Sequence, residues 1–299
     1  MWLHIWILIK RPFYVRAQVT RGMQLKNRFN LSRSIPMDVR TRVRRHCGFG
    51  CVLCGEAIVT YEHFDPPFRD AKRHSADGIT LLCGTHQVAS SKGLLSPESI
   101  AEANRRPYCL ERGHASHLLD LGRVKPILTV GGSDVTTCGS GISFHGRWML
   151  YLGEPEPHSR RWRLSARFVD QSGTTLCEIR NNELVIPSAS FEVEQVGRIL
   201  RVRADKVDLL ELELLPPTGL AINRYCLYTP EGEVFIGKRR ITDPWGTESE
   251  MSVLEFRHAS GGAQTFINCA FRADRGINFY LKEGSLVFQN QPIQVSHSP

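Results

Sequence analysis

Residues 51–86 read CVLCGEAIVTYEHFDPPFRDAKRHSADGITLLCGTH. Cys51 and Cys54 form a C-x2-C pair, Cys83 and His86 a C-x2-H pair, and 28 residues lie between the two pairs. Thiolate and imidazole are the preferred donors of a tetrahedral zinc ion, and two such pairs supply four of them. The stretch AIVTYEH (Ala57–His63) has the β-branched and aromatic content of a strand. A polar loop with Pro66 and Pro67 then runs to Asp77-Gly78, and ITLLC (Ile79–Cys83) reads as a second short strand. From Thr85 the residues favour helix, with a break at Gly93 and a restart at Ser96-Pro97-Glu98 as cap and first turn. A metal here would tie together a strand–loop–strand–helix unit that encloses the acid–histidine step Glu62-His63.

Upstream, Pro36 followed by MDVRTRVRRHCG predicts a short helix from near Asp38, with Val39 and Val43 turned inward and Gly48 ending it. Arg40, Arg42, Arg44 and Arg45 then lie on and around its polar face. Charge along the chain is uneven. Residues 1–126 hold 20 Lys/Arg against 10 Asp/Glu, net +10; residues 127–299 hold 18 against 20, net −2, which together give the +8 of the whole chain. A basic half joined to a nearly neutral half is the distribution expected of a polyanion-binding segment on a neutral partner. The four arginines are the candidates for phosphate contact, since guanidinium binds phosphate oxygens through two bonds at once.

The chain has nine cysteines. The clustered ones have metal spacing; Cys138, Cys177, Cys226 and Cys269 sit in apolar β-like runs and read as small buried hydrophobes, while Cys47 and Cys109 are left unassigned. This usage predicts a reducing, cytoplasmic setting. The opening MWLHIWILIKRPF resembles a fragment of a targeting signal. Its apolar stretch is too short to span a bilayer, so no membrane partner is expected. Residues 1–22 are read as an extension upstream of a start at Met23, or as a poorly ordered arm.

From about residue 125, alternating runs such as RWRLSARFVD, TTLCEIRNNELVI, RILRVR and LLELELL recur between turn signals, among them Asp170–Gly173 and Asn181-Asn182. This half is expected to be an all-β domain, a sandwich or a solenoid. Its aromatics Phe144, Trp148, Trp162 and Trp245 read as core. The pair His114 and His117, in HASHLL, reads as an ordinary surface pair at helix spacing.

The order C-x2-C, strand ending in acid–His, loop, strand ending LLC-x2-H, then helix resembles the HNH endonuclease family, over about residues 34–100. The resemblance implies a ββα-metal core framed by structural zinc on Cys51, Cys54, Cys83 and His86. His63 matches the family's general base and Glu62 the acidic residue that holds a catalytic Mg²⁺ or Mn²⁺. Where the family has its middle Asn this chain has Asp77-Gly78, and where the family has its last His it has Gln87. Asp77 is then the candidate to orient the His63 ring, and the Gln87 carbonyl the candidate second donor to the divalent metal. A second registration makes His86 the last catalytic His and adds Cys47 to Cys51, Cys54 and Cys83 on the zinc.

The fold expected is therefore α+β: a basic arm over 1–33, a zinc-stapled HNH-like domain over 34–122 and an all-β domain over 123–299. The resemblance implies a metal-dependent endonuclease acting on nucleic acid, with DNA ahead of RNA. The alternative is a catalytically degenerate module that binds nucleic acid or protein, with the β half serving a protein partner or self-association.

Overall fold

A left-handed residue sets the first boundary. Gly48, at φ +66°, closes helix α1 (Met37–Cys47), and its amide and that of Phe49 cap carbonyls of the last turn. Val39 and Val43 face inward, as the helical period requires. The computed structural model describes residues 26–291, apart from 138–140, 145–146, 154, 156–157, 159, 189–190, 205–206, 231, 243–245, 260, 268, 274–275 and 283–284. The readings of residues 1–22, Cys138 and Trp245 lie outside the described residues, as do the side chains of Phe144 and Trp148.

Strands β1 (Val59–His63) and β2 (Ile79–Cys83) form an antiparallel pair in which Val59 faces Cys83 and His63 faces Ile79. The first strand begins two residues later than its composition suggests. Ala57 instead sends its amide to the Ser116 carbonyl, at 2.8 Å. β2 is buried at every position and hands over directly to α2 (Gly84–Ser91). α3 (Pro97–Arg105) restarts as expected, with the Ser96 hydroxyl accepting from the Ser99 amide, and α4 (Tyr108–Arg112) follows.

The remaining strands are β3 (His114–Leu118), β4 (Ile127–Val130), β5 (Ser133–Thr137), β6 (Gly141–Phe144), β7 (Arg147–Gly153) and β8 (Arg163–Val169). Next come β9 (Thr175–Arg180), β10 (Glu183–Pro187), β11 (Glu192–Val196), β12 (Ile199–Ala204), β13 (Val207–Leu215) and β14 (Gly219–Thr229). The last are β15 (Gly232–Thr242), β16 (Glu248–His258), β17 (Ala263–Phe266), β18 (Ala270–Ala273), β19 (Gly276–Lys282) and β20 (Ser285–Gln291). They form two large open sheets. One runs β20-β19-β6-β7-β8-β9-β10-β3; in the other β11 to β17 follow one another as a meander, with β4, β5 and β18 attached beside β14.

Both sheets contribute to one apolar core. Leu150, Leu164, Phe168 and Ile179 come from the first, and Val202, Leu212, Ile236 and Phe256 from the second. Phe168 meets Tyr225 edge-to-face at 5.2 Å, and the Tyr225 hydroxyl donates to the Val169 carbonyl. On β13 Leu210, Leu212 and Leu214 are buried between partly exposed neighbours, as its alternation predicts. Asn181 and Asn182, both at positive φ, make the two-residue turn from β9 to β10. Trp162 packs partly buried against this core.

HASHLL is strand, not helix: His114–Leu118 pairs with β10. Its register with Pro187–Glu183 overrides any helical spacing, and the large sheet thereby takes in residues from inside the segment read as 34–122. A second core cluster unites Val39, Val43, Val52, Ile79, Leu82 and Ile100. The α1 segment is joined firmly to the sheets, since the Ser188 hydroxyl bonds the Gly48 and Cys109 carbonyls.

Candidate metal centre and histidine cleft

Two turns bring four ligand atoms together. The Gly55 amide, at φ +80°, bonds the Cys51 carbonyl and the Cys51 amide bonds the Glu56 carbonyl, which curls the first pair into a knuckle. The Val52 amide then fastens that knuckle to the Leu81 carbonyl of β2 at 3.1 Å. Cys83 is the extended residue before α2, and His86 stands in the first turn of that helix. The sulfurs of Cys51, Cys54 and Cys83 and a ring nitrogen of His86 all lie within 4.8 Å of one another.

The spacing fits a tetrahedral ion. With Zn–S of about 2.3 Å and Zn–N of about 2.0 Å, tetrahedral edges should be about 3.8 Å for S···S and about 3.5 Å for S···N. Cys54 Sγ and Cys83 Sγ are 3.8 Å apart, and His86 Nδ1 lies 3.3 Å from Cys51 Sγ and 3.2 Å from Cys83 Sγ. Burial raises the Cys51 thiol, and desolvation with the neighbouring Cys51 sulfur pushes Cys54 up to about 12. These sulfurs become thiolates only with a cation beside them, so metal uptake releases protons. Cys47 is not in the cluster. Its sulfur rests 3.6 Å from the Thr80 hydroxyl, and burial pushes it up to about 11. The cluster is therefore Cys51, Cys54, Cys83 and His86, able to hold a metal ion such as zinc.

Glu62 and His63 are consecutive on β1 and so leave opposite faces of the strand. On the α2 side Gln87 Nε2 donates to Glu62 Oε2 at 2.6 Å, and Gln87 Oε1 accepts from the Thr60 hydroxyl at 3.1 Å. As arranged, the amide offers Glu62 a donor, not a second oxygen. Turned over, it would present Oε1 beside the carboxylate. Thr60 could then accept from Nε2 while keeping its own bond to the Leu82 carbonyl, but the turn gives up the charge-assisted bond to Glu62 and sets two acceptors together, so it requires a cation between them.

On the other face His63 Nε2 lies 3.0 Å from His74 Nδ1, and His74 Nε2 lies 3.0 Å from the Ser32 carbonyl. A carbonyl only accepts, so His74 carries its proton on Nε2. In the neutral pair its Nδ1 must accept from His63 Nε2–H, which leaves His63 Nδ1 as a bare lone pair. Burial, then the adjacent His74 and Arg33, lower His63 to about 4, so the ring is neutral at ordinary pH.

Asp77 does not take the expected orienting role. It is exposed, and among the described residues no hydrogen bond joins it to His63. Gly78 cannot be replaced by a side chain either, because a Cβ there would stand 1.9 Å from the Asp65 carbonyl oxygen. The group that holds the His63 ring is instead His74, from the loop between β1 and β2.

Arg44 also departs from expectation. It is 4 % exposed, and its guanidinium bonds Glu192, Glu194 and the Tyr61 hydroxyl. Arg40 reaches Glu194 at 3.4 Å, whereas Arg42 pairs with Asp38 and both it and Arg45 stay exposed. The buried Glu194 and half-buried Glu192 on β11 take the inner arginines of α1, because a buried charge such as that of Arg44 must be paired. His117 bonds Glu56 at 2.8 Å, Cys47 and Cys109 are buried free thiols, and Cys226 and Cys269 are only half-buried whereas Cys177 is fully buried.

Sequence reading passed over the segment that walls the histidine cleft. Asn27 Nδ2 donates to the carbonyls of Phe68 and Ala71, both at 2.6 Å, and fastens residues 26–32 to the loop. Arg33, Ser34, Arg40, Tyr61, His63 and Phe68 line a recess of roughly 380 Å³. The interleaving of basic residues with Phe29 in KNRFNLSR was the available signal.

No protein-family model matches this chain, and no curated protein or solved structure matches it significantly. Among the described residues no helix is long and apolar enough to cross a membrane.

Proposed function

We propose that the protein is an HNH-type endonuclease that hydrolyses phosphodiester bonds of nucleic acid. The observation that carries this reading is His63, neutral, with a bare Nδ1, in a recess shared with Arg33 and Arg40. A neutral imidazole fixed through its other nitrogen has a free lone pair for a proton of water, and a phosphate or other anion beside it would raise its basicity. His74 and the Ser32 carbonyl hold its ring and tautomer, and Arg33 supplies positive charge for a phosphate.

Zinc on Cys51, Cys54, Cys83 and His86 serves structure, clamping the knuckle to β2 and α2. Glu62, with the Gln87 amide turned over, would supply hard oxygen donors for Mg²⁺ or Mn²⁺. Such a cation, when bound, withdraws charge from a phosphate and its leaving oxygen.

One observation favours a second reading, a binding module that no longer cuts. Gln87 already satisfies Glu62 with an N–H donor, and Glu62 leaves β1 on the face opposite His63. Incubation with end-labelled DNA and RNA, with Mg²⁺ or Mn²⁺ and a chelator control, separates the two. Metal-dependent cleavage supports the nuclease; intact substrate under every divalent ion leaves the binding module.

A further inference from the structure

The recess over His63 does not stand alone. It shares Arg33 and Phe68 with a second cleft of roughly 730 Å³, lined also by Lys26, Asn27, Arg28, Arg69 and Asp70. Charge on this wall is one-sided. Asp70 pairs with both Arg28 and Arg69, at 2.9 and 3.2 Å, while Lys26 and Arg33 have no carboxylate partner among the described residues. One carboxylate against four cations leaves a surplus suited to a phosphate chain.

Two aromatic rings accompany that charge, Phe68 in the lining of both clefts and Phe29 next to the lining residue Arg28. The Arg33 guanidinium sits 4.7 Å from the Phe68 ring centroid, and Phe68 meets His63 edge-on at 5.3 Å. Phe29 is 42 % exposed, with Arg28 at 4.9 Å and Lys72 at 5.6 Å from its ring. An exposed ring among cations is the arrangement on which unpaired bases stack while the backbone follows the charge.

Size then selects the strand. A recess of roughly 380 Å³ falls near the lower end of the range, about 300–1,000 Å³, in which a pocket encloses one small molecule. A paired base cannot enter such a space without leaving its stack, whereas an unpaired nucleotide can. We propose that the two clefts bind a single-stranded nucleic acid, with an unpaired nucleotide in the recess beside His63 and bases stacking on Phe68 and Phe29. This deepens the nuclease reading by naming the form of its substrate. It is tested by binding alone, so a protein that does not cut still gives an answer.

The test is fluorescence anisotropy of the full chain, without added divalent metal, on a labelled oligothymidylate of about 12 nucleotides. A hairpin duplex of matched length and a polyglutamate peptide serve as competitors. The single strand is expected to bind at least roughly tenfold more tightly than either. Phe68→Leu, which keeps an apolar side chain but removes the ring, should weaken binding by about 5- to 150-fold, the range for loss of one stacked base. If Phe68→Leu lowers the melting temperature, the exposed Phe29→Leu carries the test with the same expected direction. Duplex or polyglutamate binding as tightly as the single strand overturns the proposal, as does unchanged binding in the folded phenylalanine variant.

Discussion

His63 and His74 face each other through ring nitrogens 3.0 Å apart, and the second ring is anchored on the Ser32 carbonyl. One backbone acceptor thus determines which nitrogen of His63 is free. His74→Ala should mix the two His63 tautomers, visible in the ¹⁵N shifts of its ring. His74→Asn, which retains an acceptor near the Nδ1 position, should restore much of the single tautomer. On the nuclease reading, cleavage should fall with the first variant and recover with the second, while zinc content stays constant. A His63 ring with the same ¹⁵N pattern in wild type and His74→Ala would remove the relay.

The metal centre predicts stoichiometry and its own control. Protein purified without added metal should carry about one zinc per chain. Cys83→Ser or His86→Ala should lose it and loosen the knuckle, because binding and folding are coupled in such units. Cys47→Ala should keep it, since that sulfur rests on Thr80. Zinc lost from Cys47→Ala but kept by His86→Ala would reinstate the second registration.

Between α1 and β11 the prediction concerns stability. Burial works to raise the Glu192 carboxyl, but hydrogen bonds from Thr41 and Arg44 outweigh it and lower the carboxyl below its ordinary 4.5. A carboxylate whose pKa is depressed on folding stabilises fully above its unfolded value, and that share is lost as pH falls below about 4.5 through the lower folded value. Glu192→Gln should flatten the pH dependence of the melting temperature in that window. Arg44→Met should cost about 3 kcal/mol, because it strands the buried Glu194 carboxylate and the half-buried Glu192 beside it. Equal acid sensitivity of Glu192→Gln and wild type would show that other groups govern acid unfolding.

Much of the segment that carries the Cys3His cluster was legible because its signals are local. Paired x2 spacing, the strand composition around Val59, and Ser96-Pro97 as cap and first turn each depend on neighbours in sequence. The core alternation of β13 and the Asn181-Asn182 turn were readable for the same reason. His74 was not, because its role depends on Ser32 and His63 meeting across 42 and 11 residues. Arg44 was misread for a similar cause: its carboxylates lie 148 and 150 residues away on a strand that no helix pattern can announce. The HASHLL strand was decided by pairing with β10, a partner also invisible at short range.

Gly78 illustrates how backbone crowding can remove a side chain that a motif leads one to expect. Its carbonyl accepts from the Phe64 amide at 3.1 Å, and its Cα faces the Asp65 carbonyl too closely for any Cβ. Gly78→Ala should therefore destabilise the β1–β2 pair by about 2 kcal/mol or more, read by chemical denaturation. A variant as stable as wild type would mean that the loop after His63 yields freely.

If His63 is the base of a hydrolytic site, taking its imidazole away removes the step that activates water. The single-turnover rate of metal-dependent cleavage should fall by about 10²- to 10⁴-fold in His63→Ala. Zinc content and affinity for nucleic acid should stay close to wild type. Cleavage that persists undiminished in His63→Ala, in protein of equal zinc content, would show that His63 is not the base.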